Sequence, residues 1–199
     1  MKKRFLGCFN RSVLLTYLGV CFSLYGMFRV EQMRVAILCL IGAAICDLFD
    51  GAVARRCKRT EQEKSFGVQI DSLADVVSFA VFPFIILIHM TGYVRSAYGI
   101  GAVYVLAAVH RLGWFNITAE EHAGYYDGLP VTYIGLLVPV YFCVTLLFPG
   151  NWQAFVIQVL YLLFAFLFVW NFKMKKPRGI WYVCFPLLAV AAAAITIFA

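Results

Sequence analysis

Four carboxylates stand in two spaced pairs, Asp47 with Asp50 and Asp71 with Asp75, inside the stretch DLFDGAVARRCKRTEQEKSFGVQIDSLAD, residues 47–75. Residues three and four apart share one face of a helix, so each pair presents both acids to the same side. If the two faces meet, four carboxylates converge at one depth. Mutual repulsion and loss of water then oppose ionisation of all four unless cations balance them. Every candidate ligand is an oxygen, and no cysteine or histidine lies at a suitable spacing, which favours a hard divalent ion such as Mg²⁺ or Mn²⁺. Two such ions would balance the four charges and leave the site able to take a pyrophosphate. Arg55, just over one turn beyond Asp50, could neutralise remaining phosphate charge. Gly51 and Gly67 let a flat base or a sugar approach the backbone. The composite is a dinuclear phosphoryl-transfer site. A structural hydrogen-bonding role would suit one intramembrane aspartate; it suits four at helical spacing poorly. Arg55 alone could also be a cation snorkelling from a helix end.

The elements that must position these residues are membrane helices. The chain has 199 residues, 63% hydrophobic and 14% charged, with a mean hydropathy of +0.85. Seven segments are apolar enough to span, residues 13–28, 34–54, 68–90, 94–115, 130–148, 153–171 and 179–198. At about 20 residues per spanning helix they use most of the sequence. The expectation is therefore an all-α polytopic transmembrane bundle forming a single integral membrane domain over 1–199. Its site lies at the ends of helices 34–54 and 68–90 that face each other across the 55–67 loop. Asp47 falls eight residues before Arg55, about 12 Å inside the basic rim at 1.5 Å per residue. The N-terminal MKKRF and the apolar run after it show no A-x-A cleavage signal and read as a retained first helix.

Net charge is +7, but the basic residues follow topology and form no aromatic-interleaved patch, which argues against nucleic acid. With the N-terminus inside, 14 of the 17 Lys and Arg residues fall on the cytoplasmic side, and only Arg29, Arg34 and Arg95 fall outside. The 55–67 loop and the polar loop 116–129 are then both cytoplasmic. Seven cysteines, Cys8, Cys21, Cys39, Cys46, Cys57, Cys143 and Cys184, form no C-x-x-C pair and read as small apolar packing residues. Glu120, Glu121, His122 and Asp127 read as solvated loop residues, and His89 and His110 as helix residues without a catalytic task.

The pattern D-x-x-D-G-x-x-A-R followed by G-x-x-x-D-x-x-x-D resembles the signature of the CDP-alcohol phosphatidyltransferases. Its fixed positions are Asp47, Asp50, Gly51, Ala54, Arg55, Gly67, Asp71 and Asp75. The resemblance implies a six-helix core, here followed by a C-terminal segment, and a homodimer. It also implies two divalent ions held by Asp47, Asp50, Asp71 and Asp75, and a CDP-linked lipid at Asp47, Gly51, Ala54, Arg55 and Gly67. Asp75 would take the proton of the acceptor alcohol. The family usually has about eight residues between the motif arginine and glycine; RCKRTEQEKSF, residues 56–66, has eleven, close to one extra helical turn, which predicts a longer helix 2.

Within that family, DSLADVVSFAVFP (71–83), RLGWFN (111–116) and YDGLPVT (126–132) are similar to runs in the serine-using members of bacteria and archaea. Phe79-Ala80 stands where those have Phe-Gly, and Gly113-Trp114 where they have Ala-Arg. This resemblance implies transfer of the phosphatidyl group from CDP-diacylglycerol to the hydroxyl of L-serine with release of CMP, on the cytoplasmic side of a prokaryotic inner membrane. Arg111 is a candidate for the serine carboxylate, with Asn116 as a polar partner; equally, Arg111 could be a rim charge and Asn116 a helix cap. Sister enzymes take glycerol 3-phosphate or inositol phosphate, but 116–129 contains no Lys or Arg to hold an acceptor phosphate. A divalent-cation or proton transporter would need a polar path to the far side, where helices 2 and 3 offer only Ser78 and His89.

Overall fold

The computed structural model describes residues 11–57, 59–118, 125–175 and 181–198. Among the described residues seven helices follow one another: α1 (Arg11–Phe28), α2 (Met33–Arg56), α3 (Glu61–Met90), α4 (Arg95–Thr118), α5 (Ile134–Leu147), α6 (Gln153–Val169) and α7 (Trp181–Phe198). Met33–Ala54, Glu61–Met90 and Arg95–Thr118 are long and apolar enough to cross a membrane, and the other helices are shorter but equally apolar. Outward faces carry side chains such as Leu106, Ile117, Phe155 and Phe166, which suits a lipid surround. The chain is thus a helical membrane bundle.

Apolar burial gives little drive between helices in lipid, so close approach of small residues and interhelical hydrogen bonds hold such bundles together. The antiparallel pair α1/α2 follows that rule. Thr16, Gly19, Ser23 and Gly26 recur at spacings of three and four along α1. A Cβ on Gly19 would lie 3.3 Å from Cβ of Cys46, and one on Gly26 2.8 Å from Cβ of Cys39 and 2.3 Å from the Phe82 ring. The register runs on to set Thr16 opposite Asp50.

The second helix ends at Arg56, with Cys57 extended after it; the expected longer helix 2 is not what forms. The extra residues go instead to the front of α3, which begins at Glu61 and not at Val68. Thr60 and Glu63 form a capping box there, with the Thr60 hydroxyl accepting from the Glu63 N–H and the Glu63 carboxylate accepting from the Thr60 N–H at 2.8 Å. This local signal satisfies otherwise orphaned N–H groups and starts the helix early.

Helix α3 changes winding at once after Asp75. Val76–Val81 is a π-turn, in which the Phe82 N–H reaches back to the Val77 carbonyl. One extra residue in a turn moves everything beyond it round by about 100°, so the acids and the deeper core residues face different neighbours. Pro83 has no N–H for the Phe79 carbonyl; the Tyr104 hydroxyl of α4 donates to that carbonyl, and the Tyr161 hydroxyl of α6 donates to the Pro83 carbonyl at 2.6 Å. Gly101 of α4 sits so close to α3 that a Cβ would fall 2.1 Å from the Phe84 ring.

Two short strands, β1 (Tyr125–Asp127) and β2 (Lys173–Lys175), pair antiparallel and tie the connection after α4 to the one after α6. Gly128 follows β1 at φ +70°, donates its N–H to the Phe172 carbonyl at 2.8 Å, and leaves 3.1 Å between a would-be Cβ and the Phe168 carbonyl. Only glycine suits both demands. The YDGLP run is therefore folded against the end of α6.

Candidate active site

The four aspartates form two rungs between α2 and α3. Because the helices run antiparallel, Asp50 comes opposite Asp71, and Asp47, one turn deeper, comes opposite Asp75. Oxygens of Asp47, Asp50 and Asp71 all lie within 4.8 Å of one another. Asp75 joins this triad through Asp47, at its inner edge. Opposed ligands of a magnesium ion stand about 4.2 Å apart, so the triad needs only small side-chain adjustments to close on a hard cation, and its all-oxygen donor set suits Mg²⁺ or Mn²⁺.

The opening between the helices is part of the design. The second helix packs against Phe82–Met90, whereas Glu61–Asp75 leans on α1 and α4. The acidic halves are thus bridged by side chains more than by backbone approach. Asp50 is 6% exposed and the other three acids are partly exposed, so the cluster is reached from one side. Gly51 and Ala54 continue the faces of Asp47 and Asp50 one turn outward. Gly67 lies one turn before Asp71, and its bare face is covered by the Arg59 guanidinium, whose Nη1 is 3.3 Å from where a Cβ would stand. The side chain of Arg55 lies outside the described residues, as do Glu120, Glu121 and His122.

Arg111 and Asn116 both lie in the last turns of α4. Arg111 is 7% exposed and its guanidinium carbon is 5.2 Å from the Phe115 ring centre. It is a buried cation on the helix that packs against Glu61–Asp75, not an exposed rim charge. Asn116 is not a cap, because α4 continues to Thr118; its Oδ1 accepts from the Ser72 hydroxyl at 2.7 Å, next to Asp71. His89 bonds the Tyr93 hydroxyl at 2.9 Å beyond the far end of α3, His110 is exposed, and Asp127 sits in β1 opposite Lys173. None of these three joins the cluster.

Two residues of the site were not anticipated from sequence. Thr16 of α1 donates to Asp50 Oδ2 at 2.7 Å, and Ser72 ties α3 to α4 through Asn116. The stripe of small and hydroxyl residues along α1 carries the signal for Thr16, since it marks the face turned to α2. Ser72 has no comparable signal.

The comparisons with known proteins agree with this geometry. A family model for CDP-alcohol phosphatidyltransferase matches residues 9–198. The CDP-diacylglycerol--serine O-phosphatidyltransferase of Helicobacter pylori (strain J99) is 31% identical over 130 residues, covering 63% of this chain and 54% of that protein. The protein of the same name from Mycobacterium leprae is 35% identical over 138 residues, 62% of this chain and 45% of its own length. The archaetidylserine synthase of Methanothermobacter thermautotrophicus is 30% identical over 118 residues, 58% and 47% respectively. The chain spans about half the length of these curated relatives. With a match over nearly its whole length and the motif aspartates drawn into one cluster, the chain belongs to the CDP-alcohol phosphatidyltransferase family.

Proposed function

We propose that this protein is a phosphatidylserine synthase, transferring the phosphatidyl group of CDP-diacylglycerol to L-serine and releasing CMP, at the cytoplasmic face of a prokaryotic inner membrane and as a homodimer. The observation that carries the reading is the aspartate cluster between α2 and α3, with the buried Arg111 on the neighbouring α4. Asp47, Asp50, Asp71 and Asp75 would hold two divalent cations, which when bound supply positive charge against the donor's pyrophosphate. Gly51, Ala54, Arg55 and Gly67 line the outward continuation of the same faces, where the cytidine end of the donor fits.

Asp75 stands outside the close triad of Asp47, Asp50 and Asp71, and it suits the part of general base. The serine hydroxyl gives its proton to the Asp75 carboxylate as its oxygen forms a bond to the phosphorus that carries diacylglycerol. The bond from that phosphorus to the CMP oxygen breaks, and CMP leaves with the electron pair. Arg111 holds the serine carboxylate as a planar two-pronged donor, with Asn116, set by Ser72, as a neutral polar neighbour. One interior guanidinium matches a carboxylate acceptor. An acceptor phosphate would call for more positive charge, which 116–129 does not contain.

The test is a detergent-solubilised assay with CDP-diacylglycerol and Mn²⁺ or Mg²⁺, offering labelled serine, glycerol 3-phosphate and inositol phosphate in parallel. Label should enter lipid from serine alone and be abolished by EDTA. Label from either phosphate acceptor would overturn the serine assignment while leaving the metal site standing, and absence of CMP release with every acceptor would overturn the transferase reading.

A further inference from the structure

We infer that Thr16 is a positioning residue for the aspartate cluster: its hydroxyl holds Asp50 by one oxygen so that the other is turned toward Asp47 and Asp71. The inference rests on reading those aspartates as metal ligands. Thr16 Oγ1 donates to Asp50 Oδ2 at 2.7 Å, across from α1 to α2. Asp50 is nearly buried, so water competes little for that oxygen.

Three other threonines use their hydroxyls differently. Thr118, Thr145 and Thr196 each donate to a carbonyl of their own helix, the common arrangement for threonine in an apolar helix. Thr16 donates to an acid on another helix. The register that brings it there is set by glycines, Gly19 close against Cys46 and Gly26 against Cys39 and Phe82, where an added Cβ would force a neighbour to shift. The packing of α1 thereby fixes the distance of the hydroxyl from Asp50. Outer partners of this kind orient ligating oxygens, and their loss typically costs 10–100-fold in metal affinity.

The test is Mn²⁺ binding by the full chain in detergent micelles, read from the electron paramagnetic resonance signal of free Mn²⁺, so that no turnover is involved. Thr16→Val, which keeps the shape and removes the hydroxyl, should raise the Mn²⁺ Kd by about 10–100-fold. Thr16→Ser, which keeps the hydroxyl, should stay within about threefold of the wild type. In assays the Val variant should need more Mn²⁺ for half-maximal rate yet recover most of its kcat at saturating metal. If Thr16→Val does not remain monodisperse, Thr16→Ala gives the same reading. Loss of binding in Asp50→Asn with unchanged binding in Thr16→Val would overturn the positioning role alone; undiminished binding in Asp50→Asn would overturn the metal reading and this inference with it.

Discussion

Along α2 and α3, the half that carries Asp47, Asp50, Asp71 and Asp75 is held by polar links to α1 and α4, whereas the half beyond Ser78 is closed by inaccessible side chains, among them Ile37, Leu40, Phe82 and Ile86. The paired hydroxyls of Ser23 and Ser78, 2.8 Å apart, mark the border. One helix pair is thus tight in one half and open in the other. Packing in the far half sets the angle of the helices, and the near half then needs only a few hydrogen bonds to aim carboxylates across a gap.

The largest effect expected from breaking the near half is on chemistry with little on folding. Asp75→Asn should lower kcat by about 10²–10⁴-fold, measured as CMP release at saturating serine and metal, while the thermal midpoint in detergent moves little. A large fall in midpoint instead would mean that the inner rung is a structural element. In the far half the opposite separation should hold. Gly101→Val places a side chain where the Phe84 ring stands 2.1 Å from the Cβ position, and overpacking of this kind costs about 1–3 kcal/mol, to be seen as a lowered midpoint and poorer yield of monodisperse protein.

Tyr104→Phe tests the join between the halves. It removes the donor that serves the Phe79 carbonyl next to Pro83, a loss of about 1 kcal/mol given the modest net value of such bonds in membrane bundles. The expected result is a small drop in thermal midpoint together with a measurable fall in kcat, because the π-turn lies directly after Asp75. An unchanged kcat would show that the π-turn does not aim the acid.

The smallest expected change is that of Ser72→Ala, which frees Asn116 without touching the acids. It should raise KM for serine by roughly 3–10-fold, about the worth of one hydrogen bond, and leave KM for CDP-diacylglycerol as it was. An equal rise in both would move Asn116 from the acceptor to the donor side of the site.

Much of this arrangement is legible in the chain. Spacings of three between Asp47 and Asp50 and of four between Asp71 and Asp75 place each pair on one helical face, and the apolar segments around them leave only a membrane bundle to carry them. The length of the 56–66 connection is also plain, but its destination is not. Three extra residues could lengthen either flanking helix, and the choice falls to the capping box of Thr60 and Glu63, whose four-residue signature is easily passed over among EQEKS. The π-turn at Val76–Val81 escapes any fixed period, because it is stabilised by Pro83, Tyr104 and Tyr161 jointly, residues far apart in sequence.

By itself the sequence determined which residue types share a face, how deep they lie from the basic rim, and that the donors are oxygens, because these follow from the 3.6-residue turn and from side-chain chemistry. Only the folded chain brings Asp47, Asp50 and Asp71 within 4.8 Å of one another, buries Arg111 and lets Thr16 reach Asp50. Those pairings depend on the register and separation of different helices, which glycine contacts along α1, the Gly101–Phe84 approach and the π-turn set together.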